Sequence, residues 1–383
     1  FILDHTTGVR RPSTLADLQA ATILLDEVPE VDVMWTTITA GDVPVEVREL
    51  VVCYVVLTEA RKHVTLVDSP SHAEPLLRIM DVVAGDAEAF RARPRFSTLL
   101  TAASPLRIDG PLLDFHAATA RRGAPVEVYT VPMAGATSPV TPAGTIVQGL
   151  AEFLGVATAL QALAPGAPLV MGVSGSIMDM HSAGVSYAAP ECALMNVACV
   201  EIAHHLGVPA AVPGLATDAK SAGLQAGYEK ALKGLATAGV GADVLSGGVG
   251  MLDSVNTLYL PQIVLDGEVV GMIRRMLGEV ATTRDEMLVD MIDRVGIGGD
   301  FLKEKETSRR LRAGEHFTPV ISSRQAYDQW VADGRDEVAR AEERMEGFFA
   351  RRAERGRPVS VDQLEELASI CGVTAEMRRV LGD

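Results

Sequence analysis

Asp218 and Lys220 flank Ala219 in the stretch TDAKSAGLQAGYE, and Gln225 and Glu229 stand four residues apart just beyond them. That spacing puts Gln225 and Glu229 on one face of a helix predicted over residues 221–238. A carboxylate, an ammonium and an amide so arranged can serve one pocket. Asp218, Lys220 and Glu229 are therefore candidate catalytic residues, and Gln225 a candidate substrate contact. The same residues have a structural use, because Asp218 or Ser221 can cap that helix while Lys220 is solvated. In SGSIMDMHSAG, Asp179 and His181 share a face if the segment is extended. His181 can there orient a carboxylate or shuttle a proton, or simply bond a loop carbonyl. His204 and His205 end a helix just before Gly207, where the partial negative charge of a helix C-terminus suits them structurally.

Other chemistries lack their signatures. No H-E-x-x-H spacing or other metal-ligand pattern appears, so no protein-bound catalytic metal is expected. GVSGS does not have the form of a G-x-S-x-G elbow, and no Walker-type phosphate loop is present. The four cysteines, Cys53, Cys192, Cys199 and Cys371, stand singly in apolar or helical surroundings, which reads as buried thiols in a reducing compartment, the cytoplasm. A formal charge of −16 argues against a sequence-independent nucleic-acid partner. No uninterrupted apolar stretch reaches the roughly 18 residues of a membrane span. The opening FILDHTTGVRRPS has no charged n-region followed by an apolar h-region.

These loops need elements to hold them. Seven short apolar, β-branched runs, over residues 31–37, 63–67, 95–102, 126–132, 168–173, 209–213 and 242–246, alternate with segments of helical period. The helices are expected over residues 45–62, 72–83, 110–122, 141–163, 190–206, 221–238 and 259–277, with another over 13–26. That alternation builds a parallel sheet with helical crossovers, and near-continuous apolar strands fit burial on both faces. The expected fold is a (β/α)8 barrel over residues 1–282. Its eighth strand is assigned to an N-terminal portion missing from this sequence, since only the hairpin-like FILDHTTGVRR and one helix precede Val31. An open doubly wound sheet is the alternative, without a dinucleotide fingerprint to support it. From about Thr282 the composition turns charged and helical. Residues 283–383 read as a C-terminal helical extension packed on the barrel, with an amphipathic helix over Ala339 to Arg357. Active sites of such barrels lie in the loops after the strands, and four of these are unusually rich: MAGATSPVTPAG, SGSIMDMHSAGVSYAAPE, GLATDAKSAGLQAGYE and GGVGMLDS.

At these loops the chain resembles the trimethylamine methyltransferase family. The likeness runs from GVRRPSTLADL through PMAGATSPVTPAG with Ala151 and Glu152, the SIMDMHSAG loop and its APE, and TDAKSAGLQAGYE, to LDGEVVGMIRRML and VGIGGDFL. The resemblance implies a barrel that binds a small methylated amine over its mouth and presents the methyl group to Co(I) of a separate corrinoid-binding protein. The corrinoid would be supplied by that partner, with no cofactor held directly. Members acting on trimethylamine carry pyrrolysine near the place of Leu215 and Ala216. This chain has none, and is more similar to the non-pyrrolysine branch that demethylates quaternary amines such as glycine betaine. Where many members carry a His-Thr pair after GGxFL, this chain reads Lys305, Glu306, Thr307. A quaternary ammonium brings its own charged leaving group, so positioning and charge matching suffice. Such a cation wants aromatic faces, and with 4% aromatics the strand-end candidates are Trp35, Tyr187 and Tyr228. His181 and Lys220 are the available donors for a betaine carboxylate. A binder of a small cationic solute without turnover, and a lyase or aldolase using Lys220 as a Schiff-base amine, are the competing functions. A homo-oligomer is compatible with the sequence, which does not set the oligomeric state.

Overall fold

Each of the seven apolar runs contains a strand: Val33–Trp35, His63–Leu66, Phe96–Ala102, Val126–Thr130, Leu169–Val173, Ala211–Val212 and Val244–Leu245. They are seen in a computed structural model, which describes residues 1–67 and 70–383. The first five form one parallel sheet in chain order, with Trp35 opposite Thr65, Thr65 opposite Ser97, Leu99 opposite Glu127 and Tyr129 opposite Gly172. A parallel bridge from Met171 to Ala210 carries the order on, and the sixth strand pairs in parallel with the seventh.

Helix α1 (Leu15–Glu27) precedes the first strand, and the crossovers are α2 (Arg48–Glu59), α3 (Ala73–Ala84) with α4 (Ala87–Ala92), α5 (Gly110–Arg121), α6 (Pro142–Leu163), α7 (Pro190–His205) and α8 (Leu224–Gly239). Helix α9 (Leu260–Met276) follows the seventh strand. Their starts have local causes. Thr14 and Asp17 form a capping box on α1, while Asp109 and Thr141 cap α5 and α6 ahead of a proline in the first turn. The α6 segment is the longest. It is long and apolar enough, by length and composition only, to cross a membrane, although a third of its most apolar stretch is buried within the fold. Single polar residues such as Glu152 interrupt the run without lowering its average, which is why no unbroken apolar stretch shows in the sequence.

Period-two alternation sorts the sheet's side chains. Met34, Val64, Leu66, Phe96, Leu100, Val126, Val128, Met171 and Val173 lie in the two large apolar clusters shared with the helices. The alternate residues, Trp35, Thr65, Ser97, Glu127, Tyr129 and Gly172, occupy the other, inner face.

Among the described residues the parallel strands are seven, one for each apolar run, and an eighth that would close a barrel is not among them. No ladder joins the seventh to the first, and a cavity of about 250 Å³ lined by Val31, Val33, Val244, Leu245, Val270 and Ile273 opens beside them. The sheet is nonetheless curled. A Cβ built at Gly247, just past the seventh strand, would stand 3.6 Å from the Trp35 ring. The N-terminal hairpin lies elsewhere: Ile2–Leu3 pairs antiparallel with Arg10–Arg11 and parallel with Thr257–Leu258.

The C-terminal stretch is helical, from α10 (Arg284–Met287), α11 (Val289–Val295), α12 (Lys305–Arg312) and α13 (Tyr327–Asp333) to α14 (Glu337–Arg355), α15 (Val361–Cys371) and α16 (Ala375–Leu381). Ala341, Met345 and Phe348 of α14 share the core of α1 and α2. Arg352 pairs with the buried Glu59 of α2, which also receives Gln19 Nε2 at 2.8 Å and Arg357 Nε at 2.9 Å. Arg355 pairs with Asp26 and Glu27. Removing one member of such a buried pair strands the other, so Glu59→Ala is expected to destabilise the protein by about 3 kcal/mol in urea unfolding.

Candidate active site

The inner face carries a buried acid. Glu127 is the second residue of the buried V-E-V-Y-T strand, 4% exposed, and its Oε1 has no hydrogen-bond partner. Burial pushes its carboxyl up to about 7, against the pull of the Trp35 indole and the Thr65 hydroxyl. Two residues on, Tyr129 stacks edge-to-face on Trp35, with ring centroids 5.2 Å apart and planes at 75°. Its ring covers Gly172, where a Cβ would come within 2.1 Å of the ring carbons, so only glycine leaves the ring this seat. Burial holds the Tyr129 phenol far above its ordinary range, eased by the hydroxyls of Ser246 and Ser174. Both serine oxygens are buried and lack other hydrogen-bond partners. Polar groups buried and unpaired cost stability, and such groups gathered around an acid and two rings make this face the candidate site.

Tyr187 completes the group from the loop after the fifth strand, half-buried and within electrostatic reach of Tyr129. Asp218 holds this loop: it accepts from the Ser186 hydroxyl, from Tyr187 N at 3.1 Å and from Ala188 N at 3.3 Å, and on its other side from Ser254 Oγ at 2.7 Å. Glu229 in turn binds the Thr217 hydroxyl, Asp218 N at 2.9 Å and Gln225 Nε2 at 2.8 Å.

A family description, trimethylamine methyltransferase, matches residues 1–368. The chain belongs to this family. A glycine betaine methyltransferase of Desulfitobacterium hafniense strain Y51 is 29% identical over 345 residues, covering 90% of this chain and 72% of the relative. A trimethylamine methyltransferase of D. hafniense strain DSM 10664 / DCB-2 is 31% identical over 334 residues, covering 87% of this chain and 67% of the relative. A crystal structure of the hydroxylamine MtmB complex aligns over 88% of this chain and 70% of the other, at 11% identity and a TM-score of 0.45, too slight a likeness to argue from.

In this trimethylamine methyltransferase family chain, the sequence candidates separate into three groups. Trp35 and Tyr187 reach the inner-face cluster. Asp218 and Glu229 brace the loops around it, with Gln225 exposed beside Glu229. Asp179, His181 and Lys220 are exposed on the outer parts of their loops. Asp179 makes a turn, accepting from His181 N at 2.9 Å and Ser182 N at 2.8 Å. Lys220 is 70% exposed and pairs with Asp253 at 2.9 Å. Glu127, Tyr129, Ser174 and Ser246 were not singled out from sequence. Their signal was present in V-E-V-Y-T: alternation puts Glu127 and Tyr129 on one face, and an acid inside a parallel strand buried on both faces needs a reason.

The raised Glu127 carboxyl has a consequence for stability. Its folded value of about 7 lies above the ordinary 4.5, so the folded state holds its proton more tightly. The stability this contributes is fully present below pH 4.5 and is lost as pH rises through 7. Glu127→Gln removes the penalty, and is expected to be more stable than wild type by up to roughly 3 kcal/mol at pH 8, with the gap closing towards pH 5, in urea titrations across that range.

Proposed function

We propose that this chain takes a methyl group from a small methylated amine of the glycine betaine kind and passes it to the corrinoid of a partner protein. The observation that carries the reading is the buried carboxyl of Glu127, its Oε1 without a hydrogen-bond partner, beside the Trp35 and Tyr129 rings. A quaternary ammonium has no N–H to donate, so it is recognised by π-faces and by charge rather than by directed acceptors. The inner face offers both, and a bound cation would favour the ionised form of Glu127. The hydroxyls of Ser174, Ser246 and Tyr129 would then take the polar end of the substrate. Trp35 and Tyr187, partly exposed, would wall the pocket against water.

The corrinoid, held by its own protein, supplies the Co(I) nucleophile. What this chain contributes is position: it holds the nitrogen so that one N–CH3 bond points out of the mouth. The methyl group leaves without its bonding electrons, which stay on nitrogen, and a neutral tertiary amine results. No proton moves, so no residue here needs to act as general acid or base. The frame we propose is a (β/α)8 barrel over residues 1–282, with residues 283–383 packed on it as a helical extension, working in the cytoplasm.

A Schiff-base reaction at Lys220 is not favoured, because that ammonium is solvated and ion-paired rather than desolvated. Nor is binding without turnover, since the relatives are named methyltransferases.

Methyl transfer from glycine betaine or trimethylamine to a corrinoid protein reduced to Co(I), followed by the cobalt absorption spectrum, tests the reading. Trp35→Ala and Glu127→Gln are each expected to lower kcat/KM by about tenfold or more. Transfer from no methylated amine would overturn it. Affinity for a quaternary ammonium should also rise with pH through 7 as Glu127 ionises, by at most about tenfold per pH unit, and flatten in Glu127→Gln. Calorimetric titrations from pH 6 to 8 read this directly.

A further inference from the structure

Tyr187 is gripped on both sides of its own backbone. Its N–H donates to Asp218 Oδ1 at 3.1 Å, and its carbonyl accepts from Lys233 Nζ at 2.5 Å. Asp218 comes from the loop after the sixth strand. Lys233 comes from α8, 3% exposed, and burial pushes its ammonium down to about 8. No salt bridge to Lys233 is present among the described residues: Asp218 acts on it only from a distance, as does the buried Cys192, whose Sγ lies 3.4 Å from the Ser186 carbonyl. A lysine is an expensive way to fill apolar space, since its charge must be desolvated with little to offset it. What its ammonium reaches is the Tyr187 carbonyl.

We propose that Lys233 and Asp218 act as a pair of positioning residues, holding Tyr187 from opposite sides so that its ring forms one wall of the pocket for the methylated ammonium. This rests on the reading of the inner face given above. Neither residue touches the substrate; each acts through Tyr187. Asp218 holds the N–H of the tyrosine and Lys233 its carbonyl, so the two together fix the backbone from which the ring projects. The clamp also links the fifth strand's loop to the sixth strand's loop and to α8, three segments that share no β-ladder at that level.

The test is a mutant cycle read in two ways. Lys233→Met keeps the length and apolar stem and removes the ammonium; binding of tetramethylammonium and of glycine betaine is measured by calorimetry, and exchange of the backbone amides of residues 186–189 by mass spectrometry. The expected result is a Kd raised by about fivefold or more in Lys233→Met, with no further rise when Tyr187→Ala is already present, because both changes remove the same wall. Exchange at 186–189 should quicken while the melting temperature holds or rises, since a buried charge has been replaced by an apolar chain. Lys233→Gln, which keeps a donor, should fall between the two, and serves if the methionine variant does not fold. Unchanged exchange, or a loss of binding just as large in the Tyr187→Ala background, overturns the proposal. If the wild type binds neither cation, the reading of the pocket fails on its own; the exchange arm then decides whether Lys233 holds the loop, quickening for it and no change against it.

Discussion

A buried ion pair between α8 and α9 sets the geometry on which the site depends. Lys230 Nζ lies 2.7 Å from Asp266 Oδ2, with neither side chain exposed at all. Both are well satisfied: Lys230 also donates to the Gly248 carbonyl at 2.7 Å, and Asp266 accepts from Gly250 N at 2.7 Å and Gln262 Nε2 at 2.8 Å. The pair therefore staples the GGVG turn after the seventh strand. At Gly248, with φ of +96°, a Cβ would sit 2.5 Å from the Leu215 carbonyl carbon, so this backbone runs directly against the loop after the sixth strand. A buried pair is weak evidence for net stability, but this one holds the backbone at Gly248 and Gly250, next to the Gly247 that lies against Trp35.

Much of this was open to reading from sequence, and the limits have physical causes. The seven strands and their crossovers follow from apolar runs and helical period, which act locally. The inner-face cluster was half legible: Trp35 as an aromatic at a strand end, and Glu127 with Tyr129 through alternation in V-E-V-Y-T. The loops were harder. TDAKSAGLQAGYE is rich in groups that could act on a substrate, yet Asp218 turns to backbone amides of a neighbouring loop and Lys220 to Asp253. Spacing fixes direction only where the backbone is regular. Lys233 was invisible for the opposite reason, because an amphipathic helix gives no warning that both of its lysines, Lys230 and Lys233, point inward.

The two faces of the sheet illustrate a division of labour. Towards the helices, apolar clusters supply stability, with His116 Nδ1 set 2.9 Å from Thr98 Oγ1 and its Nε2 left without a partner. Towards the inside, an acid, two rings and two hydroxyls gather, with Glu127 Oε1 lacking a partner and the Ser174 and Ser246 hydroxyls meeting nothing beyond Tyr129. Folds tolerate such unmet demands where function requires them, and offset them elsewhere.

The contacts between α14 and the first two helices have a bearing on synthesis. Glu59 waits for Arg352, 293 residues later in the chain. At translation rates of about 5 to 20 residues per second, roughly 15 to 60 seconds pass before that partner leaves the ribosome. Through that interval the faces of α1 and α2 that α14 covers stay open, and Glu59 has Gln19 but neither arginine to meet it. The core around α1 and α2 is thus finished by helices made last, and is complete only when α14 is in place.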